Sequence, residues 1–289
     1  MPLIHIFINH ASLCMKTILI PTDFSPAAMN AAEYAIDMAK AINADIFLLN
    51  VYQIPYTYGE IPVPIDSEVM IQDVTDELAN IREQLSKKTS GTIHIDAEVR
   101  SGTFFQILKE VCETIQPYAV IMGSQGSSAA QRLLFGSNSV YAVKHLQWPV
   151  IAVPLGATFA AIKKIGLACD FDKVMDTIPL DEIKTLINDF NATLYVLNSG
   201  KKDDFNPDLI FESHVLHGML KPFKPNYFFI TATDKDQGIV DFADNHLLDL
   251  LIVFPKKHDF VDRLIHTSHT KQLVLHCNVP VMSLHHAPP

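Results

Sequence analysis

Short apolar runs alternate along the first half of the chain with longer segments in which apolar residues recur every three or four positions. The first pattern is typical of buried β-strands and the second of amphipathic helices. The pattern predicts strands at residues 17–21, 44–51, 93–99, 118–122 and 149–153, and helices at 26–42, 69–88, 104–115 and 137–146. Ser25 is the expected N-cap of the first helix, with Pro26 in its first position. Residues 52–68, rich in Pro and Tyr, predict a loop.

This order of elements predicts an α/β fold. Strands that are apolar throughout and alternate with helices form a parallel sheet that is covered on both faces, here a five-stranded, doubly wound, Rossmann-like domain. Ligands of such sheets bind at the carboxyl ends of the strands, near the point where the strand order reverses.

The second half repeats the pattern of the first. Residues 164–171 resemble 16–24, and 193–198 resemble 45–50. Two later matches, 251–254 with 120–123 and 279–282 with 148–151, share an offset of 131 residues. We therefore expect two tandem copies of one domain, at 15–154 and 162–289, joined by a linker at about 154–162. Residues 1–14 are expected to be an N-terminal extension.

Composition narrows the class of protein. The chain has 289 residues, 48% of them apolar, and a formal net charge of −10. Residues 1–150 hold 9 Lys/Arg against 15 Asp/Glu, and the remainder holds 13 against 17, so both halves are acidic. This charge argues against binding to nucleic acid or to an anionic membrane. No apolar run approaches the roughly 20 residues of a membrane span, and no signal peptide is evident.

Four cysteines, Cys14, Cys112, Cys169 and Cys277, are scattered without CxxC spacing. The favoured interpretation is reduced thiols in a cytoplasmic protein, with redox sensing as the alternative.

The strongest chemical signal is a glycine pattern after the fourth predicted strand. Gly123 and Gly126 follow that strand, and Gly136-Ser137 precede the next helix after nine intervening residues. Glycines let the backbone approach an anion closely, and the free N–H groups of a helix N-terminus attract negative charge. The pattern therefore predicts a phosphate site, with Ser137 and Ser139 as hydroxyl donors. The alternative is that Gly123 and Gly136 only form turns or caps.

The sequence Gly-x2-Gly-x9-Gly-Ser resembles the ATP-binding signature of the universal stress protein family. The opening Ile-Leu-Ile-Pro-Thr-Asp-Phe-Ser resembles the first strand of that family. The resemblance covers about residues 16–154 and, more weakly, 162–284. It implies an adenine-nucleotide α-hydrolase-like fold that binds ATP, with any Mg²⁺ held mainly by the phosphates. The implied binding residues are Pro21, Thr22, Asp23, Val51, Met122, Gly123, Gly126, Gly136, Ser137, Asn138 and Ser139.

Two positions depart from the common family pattern. Asn50 stands where many members have His, with an expected effect on packing more than on binding, and Asn138 stands where a small apolar residue is common. If Gly123 serves the approach of ligand, Gly123→Val is expected to abolish binding without unfolding the domain. Asp23 has two interpretations: it contacts the nucleotide or a divalent ion, or it caps the following helix. Asp170 at the matching place in the second half favours capping.

The second half lacks the glycine pattern. At the offset of 131, Phe254, Lys257 and Thr267 replace Gly123, Gly126 and Gly136, and Ala168-Cys169 replace Pro21-Thr22. We expect this half not to bind ATP in the same way. It is rich in histidine, and the pairs His214/His217 and His266/His269 share helical spacing. Surface or packing roles are favoured over metal binding, because no zinc signature is present.

The favoured function is a nucleotide-binding stress-response or signalling protein without assigned catalytic or metal-binding residues. Nucleotide would stabilise one conformation or assembly, by differential affinity. The alternatives are a slow ATP-hydrolysing enzyme and an interaction module with a vestigial site. The resemblance implies dimer contacts through the last strands, so the two halves are expected to form a pseudo-dimer within one chain. The sequence does not identify a protein partner and does not decide whether two chains form a homodimer.

Overall fold

A computed structural model describes residues 15–53, 67–124, 138–169, 178–198, 207–255 and 269–285. The first half contains β1 (Thr17–Pro21), α1 (Pro26–Ile42), β2 (Asp45–Tyr52), α2 (Ser67–Lys88), β3 (Ile95–Ser101), α3 (Phe104–Ile115), β4 (Ala119–Gly123), α4 (138–145) and β5 (Val150–Val153). These elements confirm the predicted order, with strand boundaries that differ by one or two residues. The loop predicted at 52–68 falls largely outside the described residues.

The second half has the same order of elements. It contains β6 (Lys164–Cys169), α5 (Leu180–Phe190), β7 (Thr193–Asn198), α6 (Pro207–Leu220), β8 (Asn226–Phe229), α7 (Lys235–Asn245), β9 (Leu250–Val253), α8 (His269–His276) and β10 (Val281–Ser283). A short 3-10 turn, Lys221–Phe223, follows α6. Both α1 and α5 end at a left-handed asparagine, Asn43 and Asn191. This shared cap supports the internal repeat.

The ten strands found in the described residues belong to one sheet, in the order β3-β2-β1-β4-β5-β10-β9-β6-β7-β8. Within each half the five strands are parallel, in the equivalent order 3-2-1-4-5. Each half was expected to have its own five-stranded sheet, with contacts between the halves through their last strands. In the structure these strands, β5 and β10, pair antiparallel through Val281–Ala152, Met282–Ile151 and Ser283–Val150, so the two sheets are continuous. Since the two halves run in opposite directions, their strands have carboxyl ends at opposite edges of the joint sheet.

Helices cover both faces of this sheet. On one face α1, α2, α5 and α6 contribute to a buried apolar cluster that includes Ile20, Leu48 and Ile165. On the other face α3, α4, α7 and α8 cover a second cluster that includes Leu19 and Val120. Adjacent residues of β1 therefore enter different cores, which explains why the strand is apolar at every position.

The two halves also meet through side chains beside the β5–β10 seam. Tyr34 of α1 packs edge-on against Phe159 of the linker, with the ring centroids 5.3 Å apart, and Phe159 contacts Phe190 of α5. Asp189 of α5 accepts a hydrogen bond from the Tyr118 hydroxyl at 2.8 Å and forms an ion pair with Lys16. The joint is therefore apolar at its centre, with a shared carboxylate beside it.

Candidate functional site

The predicted site lies where the strand order of the first half reverses. From β1 the chain moves to β2 and β3 on one side, and it then crosses to β4 on the other. Pro21 and Thr22 at the end of β1 thus lie beside Met122 and Gly123 at the end of β4, since Leu19 pairs with Val120. A reversal of this kind opens a crevice at the carboxyl edge. The fold brings together the two strand ends that the sequence had assigned to the site.

The turn after β1 is tight and strained. The Thr22 hydroxyl accepts a hydrogen bond from the Phe24 N–H at 3.1 Å, and the Asp23 carboxylate accepts one from the Ser25 N–H at 3.1 Å. Phe24 has a φ of 63°, in the left-handed region that aromatic residues rarely adopt. Strain of this type concentrates at functional sites. This conformation could not be predicted from the sequence, because left-handed turns usually carry Gly or Asn.

Ser25 is the residue that caps α1. Its hydroxyl accepts from the Ala28 N–H at 3.2 Å, and Pro26 is in the first turn, as the sequence predicted. Asp23 lies two residues before the cap, and its hydrogen bond closes only the local turn. The capping interpretation of Asp23 is therefore wrong for the first half, and Asp23 is exposed at the edge of the sheet. Asp170 lies outside the described residues.

Asn50 connects the ends of β1 and β2. Its side-chain amide donates to the Thr22 carbonyl at 2.8 Å, while its buried Oδ1 atom has no hydrogen-bond partner among the described residues. Asn198 makes the same bond to the Cys169 carbonyl, at 3.3 Å. The sequence predicted a packing role for Asn50, and in the structure that role is the hydrogen bond that joins the ends of β1 and β2. Val51, the next residue of β2, is half-buried against the second apolar cluster, which α3, α4, α7 and α8 cover.

Gly123 is required by helix packing. A Cβ atom at this position would lie 2.6 Å from the Ala27 carbonyl oxygen in the first turn of α1. No side chain fits at that distance unless the helix moves. The expectation that Gly123→Val would remove ligand without disturbing the domain is therefore wrong, because valine would collide with α1 whether or not ligand is bound.

Ser139 ties the start of α4 to the end of β4. Its buried hydroxyl donates to the Gly123 carbonyl at 2.6 Å. The sequence analysis predicted that the Ser139 hydroxyl donates to phosphate, but in the structure it donates to the Gly123 carbonyl. Asn138 is exposed in the first turn of α4, where backbone N–H groups have no helical partner. Gly126, Gly136 and Ser137 lie outside the described residues.

Ser124 was not singled out by the sequence analysis. It follows Gly123 directly, its N–H donates to the Val153 carbonyl at 2.9 Å, and its hydroxyl is buried without a partner among the described residues. Together with the Asn50 Oδ1 atom, two unpaired buried polar atoms lie at the carboxyl edge of the first half. Such atoms are costly to leave unpaired, so they mark this edge as one that a polar ligand can complete.

The corresponding edge of the second half has a different lining. Phe254, which replaces Gly123, is partly buried against the apolar cluster that α1, α2, α5 and α6 cover. The helix behind it, α5, begins only at Leu180, eleven residues after β6 ends, whereas α1 begins five residues after β1. Thr270, the counterpart of Ser139, is buried in α8. Lys257, Thr267 and Ser268 lie outside the described residues.

Two of the histidines that share helical spacing contact other side chains, and the described cysteines are buried. His217 bonds the Tyr227 hydroxyl at 3.1 Å, and His269 pairs with Asp236 at 2.8 Å. No group of three or more His, Cys, Asp or Glu side chains suited to a metal occurs within the described ranges. Burial raises the pKa of the Cys112 thiol to about 12 and that of Cys277 to about 11, and Cys169 is also buried. Thiols in such surroundings are inert, which favours the structural interpretation over redox sensing for these three.

No helix in the part of the chain that the structure describes is long and apolar enough to cross a membrane.

Comparison with known proteins supports the resemblance to universal stress proteins that the sequence motifs indicate. The profile of the family described as "Universal stress protein family" matches residues 15–154 and 224–285. A universal stress protein of Methanocaldococcus jannaschii is 26% identical over 141 residues, which are 48% of this chain and 81% of that protein.

Solved structures that match both halves together include the following two. A universal stress protein from Archaeoglobus fulgidus is 18% identical, with a TM-score of 0.69 over 94% of this chain and 96% of that chain. A functionally unknown protein from Pseudomonas aeruginosa is 10% identical, with a TM-score of 0.59 over 93% and 92%. At these identities the two structures establish the fold alone.

Proposed function

Since this chain belongs to the universal stress protein family, we propose that its first half binds ATP and that its second half does not. The observation that carries the proposal is the site at the strand reversal. There the strained Phe24 turn and the N-terminus of α4 meet the Asn50 and Ser124 atoms that have no partner among the described residues. Gly123, the first glycine of the signature, lies at the same edge.

The proposed contacts follow from the position of each group. Backbone N–H groups at Asn138 and Ser139 would bind phosphate, because the N-terminus of a helix attracts anions. Gly126, Gly136 and Ser137 complete this cradle in the proposal. Pro21, Thr22, Asp23 and Val51 would contact the adenosine at the ends of β1 and β2, and Met122 and Gly123 would lie beneath it. Mg²⁺, when bound, would be held mainly by the phosphates.

We propose a binding role without catalysis. ATP would favour one arrangement of the chain or of its assembly, through its preference for that arrangement. The antiparallel β5–β10 pair supports the hypothesis that the halves, as domains 15–154 and 162–289, form an intramolecular pseudo-dimer. A location in the cytoplasm and an unidentified protein partner belong to the same proposal. Absence of multiple-turnover phosphate release would separate it from the ATP-hydrolysing alternative.

A backbone substitution tests the site more cleanly than a change at Gly123. Proline is tolerated in the first turn of a helix but lacks an N–H group, so Asn138→Pro removes one donor and leaves α4 in place. His269→Pro, at the offset of 131, makes the same change at the start of α8. We expect calorimetry to give one ATP per wild-type chain, with affinity lowered about tenfold or more by Asn138→Pro.

His269→Pro should leave that affinity unchanged. Two ATP molecules per chain, or equal losses in both variants, would contradict the assignment to the first half. Wild-type protein that binds no adenine nucleotide would favour the interaction module with a vestigial site.

A further inference from the structure

The ten-stranded sheet has two outer edges, β3 in the first half and β8 in the second. They are equivalent strands of the internal repeat, because each is the third strand along the chain in its own half. Because the two strands are equivalent, β3 is the natural reference for β8, and a difference in their side chains indicates a difference in what each strand contacts. Outer strands carry unpaired N–H and C=O groups that can pair with another chain.

The β3 edge carries the charges that usually protect such strands. Asp96, Glu98 and Arg100 alternate along it, and the Arg100 guanidinium bonds both carboxylate oxygens of Glu98, at 2.8 and 3.1 Å. The neighbouring helix α2 has eight charged residues among its 22. Charged side chains on an outer strand oppose pairing with another strand.

The four residues of β8 carry no such charges, although the exposed Lys221 and Lys224 precede the strand. Its sequence, Asn-Tyr-Phe-Phe, contains no charged residue, and 51% of Phe229 is exposed. The Ile230 N–H donates to the Asn198 carbonyl of β7, and backbone groups alternate in direction along a strand. The N–H and C=O groups of Tyr227 and Phe229 therefore point away from β7, toward the open edge.

On the neighbouring helix α6, the exposed residues with described side chains include no Lys, Arg, Asp or Glu. The exposed residues of α6 with described side chains are Phe211, His214, His217 and Gly218, and 64% of Phe211 is exposed. The rings of His217 and Tyr227 lie 5.6 Å apart, which joins the face of α6 to β8. An exposed aromatic patch of this kind marks an interaction site.

We propose that β8 and the exposed face of α6 bind a second copy of this chain, with β8 antiparallel to its own copy about a twofold axis. A chain with a net charge of −10 repels its copy, so association is favoured where both surfaces lack charge. Antiparallel pairing about a twofold axis is self-complementary. The chain already joins its own halves in this manner, through three residue pairs of β5 and β10. The dimer would contain one continuous sheet of twenty strands.

The mass of the full chain in solution gives the first test. The wild type should be a dimer of about 64 kDa at about 50 µM, twice the 32.2 kDa of the chain. Phe229→Lys places a charge at the centre of the interface and should weaken association by about 100-fold or more. Ser101→Lys makes the same change in net charge at the exposed end of β3, and the dimer should persist. Circular dichroism verifies that both variants are folded.

Distances between spin labels identify which edges meet. With Cys14 changed to Ser, the described cysteines are buried, and Asn226→Cys or Asp96→Cys adds one exposed site per chain. Labels at Asn226→Cys should lie within about 30 Å of each other, because the two β8 strands are adjacent. Labels at Asp96→Cys should be about 90 Å apart, since nineteen strand spacings separate the β3 edges.

A monomeric wild type at this concentration would overturn the proposal. It would also be overturned by a dimer that Phe229→Lys leaves intact, or by a short distance between labels at Asp96→Cys. A monomer that binds a different protein through β8 would identify the edge as a heterologous interface and exclude the homodimer. All of these measurements are made without added nucleotide, so failure of the dimer proposal and failure of the proposed ATP site are distinguishable.

Discussion

At the scale of single residues, Gly123 has two separate reasons to be glycine. The nucleotide proposal needs close approach of a ligand, and the packing of α1 independently excludes a side chain, because a Cβ atom would lie 2.6 Å from the Ala27 carbonyl oxygen. Only the second reason is visible in the contacts of the folded chain. A substitution at Gly123 therefore measures packing before it measures binding.

Gly123→Ala should lower the free energy of unfolding by about 1–3 kcal/mol, because either α1 or β4 must move to accommodate the methyl group. Urea denaturation in the absence of nucleotide measures this loss. Gly218→Ala is the matched control: it lies in α6 with no atom within 4 Å of the added Cβ, and it should stabilise by up to about 1 kcal/mol. Equal effects of the two substitutions would refute the packing argument.

At the scale of elements, α1 connects the candidate site to the joint between the halves. Ala27 contacts Gly123, Asn30 binds the linker, and Tyr34 contacts Phe159, all from neighbouring turns of the helix. The Asn30 amide donates to the Pro154 and Ala157 carbonyls and accepts from the Gly156 N–H, each at 3.2 Å. This side chain holds the linker in a defined turn, in which Gly156 has a φ of 87°.

Asn30→Ala should release the linker while the two domains remain folded. Each of the three lost hydrogen bonds contributes about 0.5–1.5 kcal/mol, so local opening should become at least about tenfold more frequent. Thermolysin should then cleave faster near Leu155, which is 41% exposed. Asp37→Ala, an exposed change in the same helix, should not alter the rate. A cleavage rate that Asn30→Ala leaves unchanged would show that other contacts hold the linker.

At the scale of the whole molecule, two buried tyrosines near the joint contribute to the loss of stability at alkaline pH, in addition to the buried thiols of Cys112 and Cys277. Burial raises the pKa of Tyr118, and the hydrogen bond to Asp189 raises it further. Burial, with a smaller contribution from Asp249, raises the pKa of Tyr34. Above about pH 10 the unfolded chain therefore releases phenolic protons that the folded chain retains. Their stabilising contribution is complete below that pH and is lost as the pH rises.

The free energy of unfolding should accordingly fall by up to about 2.7 kcal/mol per pH unit between about pH 10 and 11 from these two groups. Tyr118→Phe should remove about half of that dependence, and the double variant with Tyr34→Phe should remove both contributions. Urea denaturation at a series of pH values measures the slopes. Identical slopes for the wild type and Tyr118→Phe would contradict the assignment.

The sequence by itself determined the fold class, the order of the elements and the internal repeat. These follow from local periodicity: apolar runs such as 17–21 suit a buried parallel strand, and Ser25-Pro26 suits a helix start. It also located the candidate site at the ends of β1 and β4, since the carboxyl edge is a property of any doubly wound sheet.

Only the tertiary structure decided the contacts between distant segments. These include the antiparallel register in which β5 and β10 join the two sheets, the collision that excludes a side chain at Gly123, and the Asn30 contacts to the linker. It also gave Ser139 a bond to Gly123 and left one atom each of Asn50 and Ser124 without a partner among the described residues. The physical reason is that periodicity records which side of an element is buried, whereas a hydrogen bond or a steric contact depends on how two elements are placed in space.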